Sequence, residues 1–168
     1  MSDVLSRILS RDSGPFWQFA KYGVIGVLST LVQMAVFYAL AATGLRCLAP
    51  DDWAVRFLGL PSAAFDGAEP WFATRWFLAA VATVVGFTVA NVFCWLMNRA
   101  FVFRPGRHGP LAEFALFYAA AACAMGLALV VQSLLIRAGV MTTIALLVDV
   151  ALSFMINFVV RKFLVFMG

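Results

Sequence analysis

Charge is scarce in this sequence. Of its 168 residues 12% are Asp, Glu, Lys or Arg, while 64% are hydrophobic. Soluble domains carry about a quarter charged residues, so a soluble globular fold is excluded. Histidine is nearly absent: the single His108 lies in a Gly/Pro-bounded loop with no nucleophile nearby. There is no phosphate-binding P-loop, no Gly-rich dinucleotide motif and no metal-ligand spacing. Those absences exclude the common enzyme chemistries and imply no cofactor and no metal. An integral-membrane glycosyltransferase would need a carboxylate cluster and a substrate fold, for which the chain has no room. Three cysteines, Cys47, Cys94 and Cys123, form an odd set. Two of them fall in apolar runs, where Cys behaves as a small hydrophobe, so no disulfide is assigned. The first residues lack a signal-peptide pattern, because Val4, Leu5, Ile8 and Leu9 are interrupted by Arg7 and Arg11.

What the chain does have is apolar runs long enough to cross a hydrocarbon core about 30 Å thick, which takes ~20 helical residues. The pattern predicts an all-α integral membrane protein with four transmembrane helices. The spans fall at about 19–42, 75–97, 114–136 and 140–160. Residues 1–15 form an amphipathic tail ended by Ser13-Gly14-Pro15, and 16–168 form the membrane domain. Gly23, Gly26, Ser29 and Thr30 offer small positions for close helix approach in the first span. The connection 43–74 contains Asp51, Asp52, Asp66, Glu69 and three prolines and is too interrupted to span. Its stretch from Trp53 to Leu60 suits a short helix on the membrane surface. Arg137-Ala-Gly139 makes the tight turn between the last two spans.

Basic residues set the orientation, because Lys and Arg concentrate on the cytoplasmic side. One side receives Arg7, Arg11, Lys21, Arg99, Arg104, Arg107, Arg161 and Lys162; the other receives Arg46, Arg56, Arg75 and Arg137 beside the four acids of the loop. Both termini are therefore expected in the cytoplasm. The net charge of +4 follows from this topology, and no polar domain exists to hold a nucleic acid.

The chain also repeats itself. Asn91 to Phe103 (NVFCWLMNRAFVF) and Asn157 to Phe166 (NFVVRKFLVF) each end a span in a basic, aromatic motif. Pairing Phe103 with Phe166 sets Cys94 against Asn157, Asn98 against Arg161 and Arg99 against Lys162. Gln18-Phe-Ala-Lys-Tyr22 likewise resembles Glu113-Phe-Ala-Leu-Phe117. The protein reads as two related helical-hairpin halves with an axis along the membrane normal, as in parallel transporter repeats. Four short helices enclose little volume, which implies a homo-oligomer or a partner protein.

The opening pattern Phe19, Tyr22, Gly23, Gly26, Ser29, Thr30 and the closing motifs resemble the GtrA family, whose closing motif is similar to Asn-Phe-x-x-Asn-Arg-x-x-x-Phe. The resemblance runs over residues 16 to 167. The motif is split here: the first half has Asn98-Arg99 with Cys94 at the earlier Asn position, and the second has Asn157-Phe158 with Arg161-Lys162 where Asn-Arg is usual. The resemblance implies translocation of a polyprenyl-phosphate-linked saccharide across the bacterial inner membrane, for surface polysaccharide or cell-wall glycosylation. Alternatives are an accessory subunit that positions a membrane glycosyltransferase, or a small cation or drug exporter.

Several residues fit such a role. Asp149, in mid-span, costs about 2.5 to 3.5 kcal/mol on translocon scales, so it must face the bundle interior, water or a partner. It is either a transport-path group or a protonated acid bonded to a neighbouring helix. Asn91, Asn98 and Asn157 suit a polar membrane path, with Asn91 and Asn98 two turns apart on one face; helix joining is the alternative. Gln33 and Gln132 are read as packing amides. Arg99, Lys162, Arg161 and Arg104 form a cytoplasmic rim able to hold a lipid phosphate, or simply to enforce topology beside anionic membrane lipids. Asp51, Asp52 and Trp53 are possible sugar contacts, or part of an unstructured acidic loop.

Overall fold

The computed structural model describes residues 15–102 and 109–165, without the side chains of 157–165 and of a few positions in the N-terminal parts of two helices. Among the described residues there is no strand. Helix α1 spans Pro15–Thr43, α2 Trp53–Leu58, α3 Arg75–Phe101, α4 Pro110–Arg137 and α5 Thr142–Val165, with a 3-10 turn at Trp71–Ala73 ahead of α3. The predicted tail (1–15) lies almost wholly outside the described residues, as does Arg104.

The helices overrun the predicted spans. Pro110 starts α4 after the Gly109 cap, because a proline ring presets the helical φ at a first-turn position whose N–H is unused anyway. The 27 residues of α3 reach about 40 Å at 1.5 Å per residue. Ala20–Thr43, Arg75–Phe101 and Pro110–Arg137 are long and apolar enough to cross a membrane. In α5 the described apolar stretch is shorter, Thr142–Ile156.

Helix α1 packs along α3, α4 along α5, and α3 along α4, so the two hairpins are joined through their α3 and α4 members. One end of the bundle, the loop end, holds the 44–74 connection and the α4–α5 turn. In that turn Gly139 adopts φ +90°, and its N–H donates to the Ile136 carbonyl at 3.1 Å. The opposite end holds Lys21 and Arg99, with Lys21 Nζ donating to the Phe101 carbonyl at 3.5 Å. A cation there complements the negative end of the α3 dipole.

The buried core is concentrated at the loop end. Phe37 and Ala41 of α1, Ala79 and Ala82 of α3, Ile136 of α4 and Ala145 and Leu146 of α5 pack with Cys47, Leu48 and Ala54 of the connection. The connection is thus folded into the bundle as a cap. Burial pushes the Cys47 thiol up to about 12, which makes it an inert core residue.

Close helix approach does not occur at the two glycines that open the first span. A Cβ at Gly23 or Gly26 would meet nothing within 4 Å, whereas one at Gly86 would lie 2.8 Å from the Gln33 carbonyl oxygen. The α1–α3 contact depends on Gly86. Gly86→Val should therefore lower stability by about 1 to 3 kcal/mol through overpacking. Gly23→Ala should be neutral or stabilising by up to ~1 kcal/mol from helix propensity. Thermal melts of the two variants in detergent check this; equal melting temperatures would contradict the packing assignment.

Candidate functional site

Three polar groups are built into this apolar bundle. The first is a stripe on α3. Asn91 and Asn98, seven residues apart, are both buried, and Trp95 lies between them on the same face. Asn98 Nδ2 donates to the Cys94 carbonyl at 2.9 Å and to Cys94 Sγ at 3.3 Å. Asn91 Nδ2, Trp95 Nε1 and Asn98 Oδ1 have no partner within the described residues. The stripe ends at Arg99, whose guanidinium lies 5.6 Å from the Trp95 ring centroid. That Arg is in effect seated on the middle member of the stripe by a cation–π contact. Trp95 was missed by sequence reading, although its spacing of four from Asn91 and three from Asn98 is the signal that places it there. Phe114 of α4 packs edge-on to Trp95 at 5.3 Å and leads to Tyr118, which shares a 3.0 Å hydrogen bond with Thr88 of α3.

The second group lies nearer the loop end. Asp149 is fully buried with neither carboxylate oxygen partnered among the described residues. It sits seven residues into α5, about 10 Å along the helix from its start. Ser153, one turn on, also has an unpartnered buried hydroxyl. Gln132 of α4 donates to Thr83 Oγ1 of α3 at 2.9 Å, which joins the two hairpins, while its Oε1 is unpartnered. Buried polar atoms are ordinarily satisfied, so each of these orphans marks a place where water, a proton or a ligand is wanted.

The third group fastens the cap. The Asp52 carboxylate accepts from the Ala54 N–H at 3.0 Å and from the Thr143 N–H at 2.9 Å. It also accepts from the Thr143 hydroxyl, which in turn accepts from the Tyr38 hydroxyl at 3.1 Å. Thr142 donates to the Cys47 carbonyl at 3.0 Å. One carboxylate thereby caps α2 and the first turn of α5. Asp51 and Trp53, by contrast, are exposed. The trio singled out for sugar contact is thus divided: Asp52 is occupied inside the protein, and the other two face outward.

The two amides and the acid fall on different helices of one bundle, but Asn91 and Asp149 lie toward opposite ends of it by their positions along α3 and α5. Asn157, Arg161 and Lys162 belong to α5, and their side chains are outside the described residues.

A family model described as GtrA/DPMS, transmembrane domain, matches residues 57–166. The chain belongs to this family. The match takes in α3, α4 and α5 and leaves out α1, so the opening motif from Phe19 to Thr30 lies beyond it, while both closing motifs lie within. No curated protein matches the chain, and no solved structure does. Membership makes the protein a membrane protein of lipid-linked sugar handling, in a family whose domain is generally non-catalytic.

Asp52→Ala should cost about 3 kcal/mol or more, since it strands several buried donors at once. Asp51→Ala should stay within about 0.5 kcal/mol, as exposed substitutions do. Unfolding in a denaturing-detergent titration separates them, and similar effects from both would remove Asp52 from its fastening role.

Proposed function

We propose that the protein translocates a polyprenyl-phosphate-linked saccharide across the bacterial inner membrane, with both termini in the cytoplasm and the loop end outside. Family membership supports a lipid-linked sugar as the substrate class. The observation that carries the reading is the α3 stripe, in which three buried, unpartnered polar atoms, on Asn91, Trp95 and Asn98, lead from mid-bundle to Arg99. An apolar bundle packed only for stability gains nothing from such atoms, each of which costs about 1 to 3 kcal/mol when left dry.

In this reading Arg99, with Lys162, Arg161 and Arg104, holds the lipid phosphate at the cytoplasmic rim. Arginine suits that task because its planar fork matches phosphate oxygens. Asn91, Asn98 and Trp95 then offer hydrogen bonds to the saccharide hydroxyls, and the isoprenoid chain stays in lipid. Asn157, which the repeat sets against Cys94, joins this inner stretch, and Asp149 extends the polar path toward the outer half. Asp51 and Trp53, both exposed, then meet the sugar as it leaves, through a carboxylate and a stacking ring. A second copy of the chain or a partner glycosyltransferase completes the path.

The test is flipping of fluorescent polyprenyl-phosphate sugars in proteoliposomes containing only this protein. Arg99→Gln/Lys162→Gln should slow flipping at least tenfold, because each lost charge-assisted bond is worth about 1.5 to 3 kcal/mol. Asp149→Asn should also reduce it. Unchanged rates in the Arg99/Lys162 pair would end the rim model. A folded protein that moves no lipid would point to the accessory-subunit role.

A further inference from the structure

The loop end carries a cleft of about 340 Å³ lined by Ala49, Pro50, Ala63, Ala64, Phe65 and Arg75. Its volume lies in the range of small-molecule sites, about 300 to 1,000 Å³. The walls are two segments of the connection latched together by the Ala63 N–H, which donates to the Leu48 carbonyl at 3.0 Å. Leu48 and Cys47 are fully buried beneath it, so the cleft rests on the core.

Every lining side chain but one is small or apolar. The exception is a guanidinium with most of its donors unused. One Arg75 terminal nitrogen donates to the Ile136 carbonyl at 3.0 Å. The remaining N–H groups of its five have no protein acceptor among the described residues, and no acid pairs with it there. That single bond fixes where the fork sits. Arg75 also opens the 27-residue α3, whose first turn contains no acid and whose N-cap, Thr74, makes no side-chain capping bond. Next to it Arg137 lies over the Trp76 ring, 5.2 Å from the centroid, which adds a second positive charge. Exposed Trp71 and Phe72 flank the start of the same helix.

We infer that this cleft is an anion site for a phosphate ester, at the opposite end of the bundle from Arg99. The guanidinium fork and the α3 start would take the phosphate oxygens, and the alanine, proline and phenylalanine wall would take an adjoining apolar chain. The inference rests on the proposed translocation for its biological use, since it supplies a receiving site for the phosphate after passage. The cleft and its cation stand without that reading. Phosphate could come from a lipid head group or from solution, and the probes separate these sources.

The experiment is calorimetric titration of the full chain in dodecyl maltoside with farnesyl phosphate, farnesol and inorganic phosphate. A background with Arg99, Arg104, Arg161 and Lys162 all changed to Gln removes the other rim. Farnesyl phosphate should bind in that background. Arg75→Gln should weaken it roughly tenfold or more, as loss of a charge-assisted contact does. Ala64→Trp, which fills the cleft and keeps Arg75 and its bond to Ile136, should weaken it similarly. Arg56→Gln, an exposed cation of α2 outside the cleft, should leave binding unchanged. Inorganic phosphate binding as tightly, with the same Arg75 dependence, would support the site and assign it to soluble phosphate. Absent binding in this background, binding indifferent to both Arg75→Gln and Ala64→Trp, or equal binding of farnesol would overturn it. Flipping and binding are read separately: lost flux with intact binding condemns the translocation reading alone, and intact flux without binding condemns this site alone.

Discussion

A single buried carboxylate holds the loop end together. Removing Asp52 from water costs several kcal/mol, and that cost is offset only because two backbone N–H groups and the Thr143 hydroxyl converge on it. Geometry that strict admits one arrangement of the connection relative to α5. Tyr38 extends it to α1, and the Thr142 bond to Cys47 seats the segment before α2 in the core. With Cys47 and Leu48 fixed, the Leu48 carbonyl can hold Ala63, and the wall facing Arg75 exists. In a bilayer the apolar helices have little hydrophobic reason to choose one partner face over another, because lipid tails are as apolar as leucine. Polar fastening at one end therefore carries specificity that a soluble core would draw from burial.

The same fact explains what could be read from the residues. Apolar runs, flanking charges and the Arg137-Ala-Gly139 turn gave the helices and their antiparallel pairing, since these depend on local composition. Asp51 and Asp52 are adjacent and chemically identical, and nothing local says that one is buried and the other exposed. Gly23, Gly26 and Gly86 look alike on the same grounds, yet only Gly86 meets a backbone. Inside a bilayer both faces of a helix are apolar, so periodicity does not report the packed face. Spacing between polar residues does: Asn91 and Asn98 share a face, both are buried, and Trp95 was recoverable from that register. Arg75 was legible as a charge on the loop side, but its cleft depends on the folded connection.

The repeat relation sharpens the contrast between the halves. In the register that pairs Phe103 with Phe166, Gly86 of α3 corresponds to Asp149 of α5, and Asn91 corresponds to Phe154. Gly86 admits α1 so closely that even a methyl group would strike the Gln33 carbonyl. A carboxylate at the matching place in the second hairpin requires wider local spacing against its neighbours. Asn91 is buried, whereas Phe154 is 74% exposed. The first hairpin thus turns its amide inward at the layer where the second turns a large apolar ring outward.

Halves related in this way by sequence do not place their buried polar groups equivalently. The amide stripe and its arginine belong to α3 and the end holding Arg99. The acid belongs to α5 and the loop-end half. A duplicated bundle kept only for packing would have no reason to distribute buried polar groups so unequally, since each unpartnered atom is a standing cost. Under the proposed translocation, unequal halves would suit a path with a direction: a cationic rim to gather the phosphate, amides to meet hydroxyls, and at the far end a second cation beside an apolar wall. Phe154 and its exposed neighbour Met155 then lie on a face of α5 left for lipid or for a second copy of the chain.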